Sequence, residues 1–273
     1  MKAHKSPPRH DVALGHSVDI SEEAGVRYLH FGSDWVQGAM RIARPWSLEL
    51  AYTREMMAGL LLRDAPHWPR SALLVGLGAG SLAKFIYRNF PDCRSTVVEI
   101  NPQVEFIARQ YFRLPDDPPR LAVAIGDGAD YMLAGERRFD YILVDGFDAD
   151  ARAGALDTLP FYQACRARLS DHSLFCVNLL GRNKGFAGSV ERIQAAFDGR
   201  TAVFPSSDSG NTIAFATAGD PVEITLEAMR ENALRLKKAS GLDLLPTVSR
   251  LRPEGSTPGV QLTHPLPGGV FKI

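Results

Sequence analysis

The sequence predicts an α/β protein: a doubly wound, mostly parallel sheet preceded by a small antiparallel β-domain. Three observations carry that expectation. Beyond about residue 70, short apolar runs alternate with helical patterns, as βαβ units require. The first such run, Ala72-Leu73-Leu74-Val75, is continuous and ends in glycines, which suits a strand covered on both faces. Ahead of it, residues 17–43 alternate apolar and polar positions between turn residues, the pattern of half-exposed hairpins.

The first 16 residues carry two prolines, three histidines and no apolar period, and predict a loose leader. Val18 and Ile20 then alternate with polar residues, Glu22-Glu23-Ala24-Gly25 signals a turn, and Val26 to Phe31 alternates again. Gly32-Ser33-Asp34 breaks the run before a third candidate strand from Trp35 to Ile42. From Pro45 to Leu62, Leu48, Tyr52, Glu55, Met56, Gly59 and Leu60 recur at helical spacing and predict one helix with Pro45 near its first turn. After Pro69 the expected order is strand 72–75, helix 82–89, strand 95–99, helix 102–112 and strand 121–125. A short helix 128–134, strand 141–145, helix 158–169, strand 174–178 and helix 186–197 follow. A last helix is expected from Leu226 to Lys238. The tail from Pro246, with five prolines and four glycines in 28 residues, should be extended, either disordered or draped over the core.

The chain has 273 residues, 45% apolar and 23% charged, enough to bury a sizeable core. Its 31 basic and 31 acidic residues cancel, leaving no field that would attract nucleic acid or an acidic membrane surface. Cys93, Cys165 and Cys176 are scattered and match neither a zinc spacing nor a disulfide framework, so a reducing compartment is expected. The polar start lacks the apolar stretch of about 7–15 residues of a secretory signal, and no run approaches ~18 apolar residues. These features predict a soluble, cytoplasmic protein with neither nucleic-acid nor membrane partners. The seven histidines form no H-E-x-x-H motif and no clustered pair, so no metal is expected. Trp35, Trp46 and Trp68 read as packing or interface residues, and Arg137-Arg138 and Lys237-Lys238 as solvated charges.

Gly76-Leu77-Gly78-Ala79-Gly80-Ser81 stands where the first parallel strand meets the first helix. Glycines there let the backbone approach a ligand, and the helix start offers free N–H groups. Glu99 ends the next strand, where a carboxylate can accept both hydroxyl protons of a ribose. Ser81 takes the place of the third glycine of a dinucleotide fingerprint. The remaining G-x-G-x-G form, with Glu99, better suits the adenosine of a sulphonium compound such as S-adenosylmethionine, in a Rossmann-like fold of the type used by methyltransferases dependent on it. Gly126-Asp127-Gly128 follows the third parallel strand, so Asp127 can meet an adenine amino group, cap the helix that begins near Gly128, or do both. The domain reading is a leader at 1–16, a β-domain with linking helix at 17–62, a nucleoside-binding catalytic domain at 63–219, and a C-terminal helix and tail at 220–273.

Asp145 closes the fourth parallel strand, at the sheet end that faces a ligand crevice, and Asp148 lies three residues on. Carboxylates beside a sulphonium can steady the donor and orient or deprotonate an incoming amine. Asp148 and Asp150 read equally well as solvated loop residues.

From Val18 to Ala218 the chain resembles the spermidine synthase (polyamine aminopropyltransferase) family. The similarity runs through Val36-Gln37-Gly38-Ala39-Met40, Tyr52 with Glu55-Met56, the glycine loop, Glu99, Gly126-Asp127-Gly128, Asp145, Leu156 and Phe161-Tyr162. The resemblance implies a β-domain before a Rossmann-like domain, and aminopropyl transfer from decarboxylated S-adenosylmethionine to putrescine or a related amine without a metal. It implies that Gln37 contacts the donor, Glu99 the ribose and Asp127 the adenine. Asp145 would help to deprotonate the amine, with Tyr52 lining the amine side, and two copies would pair through the N-terminal sheet.

Three departures stand out. Ala79 occupies the place of the acid in the family's G-G-G-D-G loop. Asp145-Gly146-Phe147-Asp148-Ala149 replaces D-S-S-D-P, and Tyr52-Thr53-Arg54-Glu55-Met56 is one residue longer than Y-H-E-M. Aminopropyl transfer is therefore the leading expectation, methyl transfer from S-adenosylmethionine the alternative, and a non-catalytic nucleoside-binding protein the third reading.

Overall fold

Three short strands open the structure, β1 (Val18–Glu23), β2 (Val26–Phe31) and β3 (Gly38–Arg41), paired antiparallel in that order. The computed structural model describes residues 18–32, 35–63, 65–146, 153–180, 185–204, 210–251, 265–266 and 270–273, so the leader expected at 1–16 lies outside them. Leu29 and Met40 give this sheet its buried face, packed with Ala79 and Phe112. The third strand is shorter than expected: Trp35 and Val36 stand outside it, 62% and 42% exposed, with no buried face for a strand to cover.

The single helix expected over Pro45–Leu62 is two shorter ones, α1 (Ala51–Met56) and α2 (Gly59–Leu62). The break follows from two distant side chains that claim one carbonyl. The Tyr141 hydroxyl donates to the Met56 carbonyl, and the Cys176 thiol donates to the same oxygen at 3.6 Å. The next amides turn back more tightly, Leu60 N to Met57 O at 3.0 Å and Leu61 N to Ala58 O at 2.9 Å.

The central unit runs β4 (Ser71–Val75), α3 (Ser81–Asn89), β5 (Arg94–Glu99), α4 (Pro102–Tyr111), β6 (Leu121–Ile125), α5 (Gly128–Ala134) and β7 (Phe139–Val144). After a 3-10 turn at Gly154–Asp157 come α6 (Leu159–Ala167), β8 (Leu169–Leu180), α7 (Phe186–Ala196), β9 (Thr201–Val203) and β10 (Asn211–Ala216). The sheet order is β6-β5-β4-β7-β8-β10-β9. Strands β4 to β8 are parallel, and β10 is antiparallel to both neighbours. Helix starts follow local capping: Asn101 Oδ1 accepts from Gln103 N at 2.9 Å ahead of Pro102, and Thr158 Oγ1 accepts from Phe161 N at 3.4 Å.

Strand periodicity deals side chains to two cores. Leu73, Val75, Ile142, Val144, Phe175 and Val177 face α5, α6 and α7. Leu74, Leu143, Cys176, Ile213 and Phe215 face α1 to α4. Each fully buried leucine or phenylalanine contributes about 1.5–3 kcal/mol relative to exposure.

Strand β8 extends well beyond the expected 174–178. The continuous apolar stretch marked only its most buried part; Leu169 pairs with Phe139, and the register shifts before Leu174 pairs with Tyr141. Beyond β10 lie β11 (Glu223–Thr225), α8 (Leu226–Ser240), α9 (Leu245–Arg250), β12 (Pro265–Leu266) and β13 (Val270–Lys272). Helix α9 corrects the extended tail expected from Pro246, since Thr247 and Val248 bury one side of a further turn of helix. The chain end does drape over the core. β13 pairs with β11, Val222 and Ile273 exchange backbone hydrogen bonds at 2.8 and 3.0 Å, and Phe271 and Ile273 are buried.

Candidate active site

The chain leaves β4 toward β5 on one side and returns later to place β7 on the other, so β4 and β7 flank the topological switch point. A crevice opens there beyond the carboxyl ends of the strands. The backbone at its floor is tight. The Asp145 amide donates to Val75 O at 2.9 Å, and Gly76 has φ +97°, where a Cβ would sit 2.2 Å from the Asp145 carbonyl oxygen. Only glycine satisfies both demands. The crevice encloses about 670 Å³.

At one end of the cavity the glycine loop wraps the start of α3. Gly80 is its N-cap in the left-handed region, the first turn carries no acid, and Ser81, Leu82 and Ala83 line the cavity. Glu99 holds this loop. Its Oε2 accepts from Leu77 N and its Oε1 from Asn101 N, both at 2.9 Å. Burial pushes the Glu99 carboxyl up, and the amides of Asn101, Leu77, Ile100 and Gly78 pull it back. Asp127 caps α5 through Oδ1, which accepts from Ala129 N at 2.7 Å and Asp130 N at 3.0 Å, while the residue also lines the cavity. Gly128 packs so closely on β4 that a Cβ would lie 2.4 Å from Val75 Cγ1.

The N-terminal sheet forms the roof over the loop. Gln37 lines the cavity at the start of β3, its carbonyl 3.2 Å from where a Cβ on Gly78 would be. A Cβ on Gly38 would lie 2.6 Å from the Ala79 methyl.

At the other end stands Asp145. Its Oδ1 accepts from Asn178 Nδ2 at 2.9 Å, and the Tyr52 hydroxyl of α1 donates to the same carboxylate. Asn178 Oδ1 in turn accepts from Asn211 Nδ2 at 3.0 Å. Burial raises the Asp145 carboxyl above the ordinary range, and the two donors temper that rise. The result is a carboxylate more basic than a surface aspartate. Burial and the neighbouring Asp145 charge raise Tyr52 well above a free phenol, so it stays a neutral donor.

Gln37, Tyr52, Gly76, Gly78, Glu99, Asp127, Gly128 and Asp145 thus line one cavity, and Gly80 closes its loop as the cap of α3. Asp148 lies outside the described residues. Sequence reasoning missed Asn178 and Asn211. The available signal was a polar residue inside the apolar run Leu174–Leu180, where Asn178 is 4% exposed. Trp35 is a cavity wall, whereas Trp46 stacks on Tyr87 and Trp68 is buried with its indole N–H donating to His172 O at 2.9 Å. Arg137 is more than a solvated charge, since it stacks over Phe139 and donates to Thr96 Oγ1 at 3.3 Å.

Among the described residues no lysine, arginine or histidine lines the cavity, and no cluster of His, Cys, Asp or Glu could hold a metal ion. No described helix is long and apolar enough to cross a membrane. The arrangement suits a ligand with an adenosine-sized part at the loop end and a cationic centre near Asp145, where a proton acceptor waits.

Residues 49–180 match the model of the spermine/spermidine synthase domain. Over 226 residues the chain is 39% identical to a polyamine aminopropyltransferase of Neisseria meningitidis serogroup A, spanning 83% of this chain and 85% of that protein. This chain belongs to the spermine/spermidine synthase family. The family is one of transferases, and its fold recurs among solved structures. A probable spermidine synthase from Corynebacterium glutamicum aligns with a TM-score of 0.67 at 17% identity, covering 91% of this chain and 96% of that one. Human methyltransferase-like protein 13, solved in complex with SAH, aligns with a TM-score of 0.62 at 25% identity, covering 77% of this family member and 97% of that chain.

Proposed function

We propose that this chain transfers an aminopropyl group from decarboxylated S-adenosylmethionine to a di- or polyamine and releases methylthioadenosine. The observation that carries the reading is the Asp145 carboxylate at the cavity end of β7. It is desolvated, hydrogen-bonded by neutral groups and free of a described cationic neighbour in the cavity. In this reading the loop glycines Gly76, Gly78 and Gly80, with Gly128, let the donor approach the backbone. Glu99 holds the ribose, Asp127 the adenine, and Gln37 covers the donor from above. Tyr52 lines the amine side, and Asp148 is assigned to amine binding from its place in the sequence, three residues after Asp145. The division at 17–62, 63–219 and 220–273 belongs to the same proposal, as do a cytoplasmic location and pairing of two copies through the N-terminal sheet.

The chemistry follows from charge. The amine nitrogen attacks the carbon bonded to the sulphonium, a C–N bond forms and the C–S bond breaks. The electron pair goes to sulphur, which becomes a neutral thioether, and the proton released from nitrogen goes to Asp145. Holding nitrogen, carbon and sulphur in line supplies much of the rate enhancement, and Asp145 supplies the proton acceptor.

A second reading is methyl transfer from S-adenosylmethionine. The acid-free first turn of α3 behind Ala79 favours it, because free amides there suit a carboxylate better than an ammonium group. Mass spectrometry of the nucleoside product decides between them. The protein meets decarboxylated and ordinary S-adenosylmethionine separately, each with mixed di- and polyamines. Methylthioadenosine with a matching aminopropylated amine is the expected result; S-adenosylhomocysteine would replace it with the second reading. Sedimentation over a range of concentrations tests the pairing, which a concentration-independent monomer would remove.

A further inference from the structure

Asp145, Asn178 and Asn211 come from three neighbouring strands. Val144 of β7 is in register with Val177 of β8, so Asp145 and Asn178 follow side by side. Asn178 pairs with Ile213 of β10, and Asn211, two residues before Ile213, therefore points to the same sheet face. That face is the one α1 covers, with Tyr52 reaching down to Asp145. The four side chains form a line from Asn211 through Asn178 and Asp145 to Tyr52.

An amide side chain has a donor end and an acceptor end, and only its partners decide which end faces which neighbour. The Asp145 carboxylate only accepts, so it takes the Asn178 Nδ2 donor at 2.9 Å, and the Asn178 oxygen turned away from it is held by Asn211 Nδ2 at 3.0 Å. Turned the other way, Asn178 would set its oxygen against the carboxylate and its NH₂ against that of Asn211. We infer that Asn178 and Asn211 are a positioning pair, in which Asn211 holds the Asn178 amide in place and Asn178 fixes the carboxylate of Asp145 against the incoming amine. The inference rests on Asp145 as the proton acceptor of the proposed transfer.

The pair also sets how readily that carboxylate takes a proton. Burial favours the neutral acid, and a donor hydrogen bond favours the ionised form, so Asn178 offsets part of the rise that burial causes at Asp145. Among the described residues, the groups facing Asp145 are few. Tyr52 donates from α1, and Cys176 lies one step down β8, its thiol pushed up by burial and by the Asp145 charge. Across the cavity stand the carboxylates Glu99 and Asp127.

The test follows the Asp145 carboxyl carbon by NMR during a pH titration of the full chain, with the signal assigned by its loss in Asp145→Asn. Asn178→Leu should raise the titration midpoint by about one pH unit, because the donor is lost while burial remains. Asn211→Leu should raise it by less, because Asn178 still donates but is no longer held in place at its oxygen. The double variant should match Asn178→Leu alone, since Asn211 acts only through Asn178. In turnover, the Asn178 variant should lose roughly 10- to 100-fold in kcat with little change in KM for the donor. An unmoved midpoint in Asn178→Leu, or additive shifts in the double variant, overturns the inference. Where Asn178→Leu does not fold, the less buried Asn211→Leu carries the test, and an unmoved midpoint there is equally decisive. Failure of the transfer reading looks different: the unaltered protein yields no methylthioadenosine while the titration shifts remain.

Discussion

Glu99 and Leu77 are joined by a 2.9 Å hydrogen bond in which the loop amide donates to carboxylate Oε2. The bond ties the end of β5 to the loop after β4, so the residue proposed to hold the ribose also shapes the glycine loop. The proposed ribose contact and the loop structure thus share one carboxylate. Glu99→Gln keeps one acceptor and turns an NH₂ toward an amide that already donates. The expected loss is about 1–3 kcal/mol, read as a lower urea midpoint with an unchanged slope. Methylthioadenosine binding should weaken at least about tenfold by calorimetry. Unaltered stability and affinity would remove both roles.

Asp145→Asn should separate binding from chemistry. An amide there still accepts from Tyr52 but cannot take the amine proton, so turnover should fall by about 10²–10⁴-fold. Nucleoside affinity should hold, because the loop end of the cavity is untouched. Comparable losses in affinity and turnover would instead make Asp145 a structural residue.

The pair Glu55–Arg250 joins α1, the helix that carries Tyr52, to α9. Glu55 is almost fully buried, and its Oε2 has no partner among the described residues. Arg250→Met would strand that carboxylate, and a loss of about 3–5 kcal/mol is expected by urea denaturation. Adding Glu55→Leu should recover most of it. A single Arg250 variant as stable as the parent would show that α9 does not hold α1.

Lys84 gives a pH signature. It is buried on α3, its Nζ donates to Phe112 O at 2.7 Å, and burial, aided by Arg113, lowers its value to about 7. An unfolded lysine holds its proton to about 10.4, so above about pH 7 the unfolded chain binds more protons and stability rises with pH. Buried thiols oppose this at higher pH: Cys93, pushed up to about 12 by burial, keeps a proton that the unfolded thiol loses near pH 8.5. The clean comparison is therefore Lys84→Met against the parent between pH 6.5 and 8, a window of roughly those two values. The parent should gain stability relative to the variant as pH rises; a constant difference would mean that the buried lysine stays charged.

What the sequence revealed depended on whether the signal was local. Gly76 to Gly80, Glu99, Asp127 and Asp145 each sit at a strand end, and strand ends can be read from apolar runs and the glycines that stop them. Asn178 and Asn211 gain meaning only once β7, β8 and β10 are in register, and register is a relation between segments far apart in the chain. The break after Met56 likewise needs Tyr141, 85 residues away, to claim a carbonyl. In the sequence the tail fits two readings, disordered or draped over the core, for a related reason. Its prolines and glycines signal poor local order, but β13 is held by β11 and by the apolar surface that Phe271 and Ile273 cover.

The close approach of Gly38 to Ala79 restricts the paths by which this sequence can change. With a methyl at 79, any side chain at 38 would start 2.6 Å from it, so position 38 is closed to every residue but glycine. Enlarging residue 79 places new atoms beside Leu29, Met40 and Phe112, the cluster that holds the hairpin on the helices. A new donor preference written into the glycine loop would therefore have to be accompanied by compensating changes in the hairpin. The two segments, 41 positions apart, are bound to evolve as one unit.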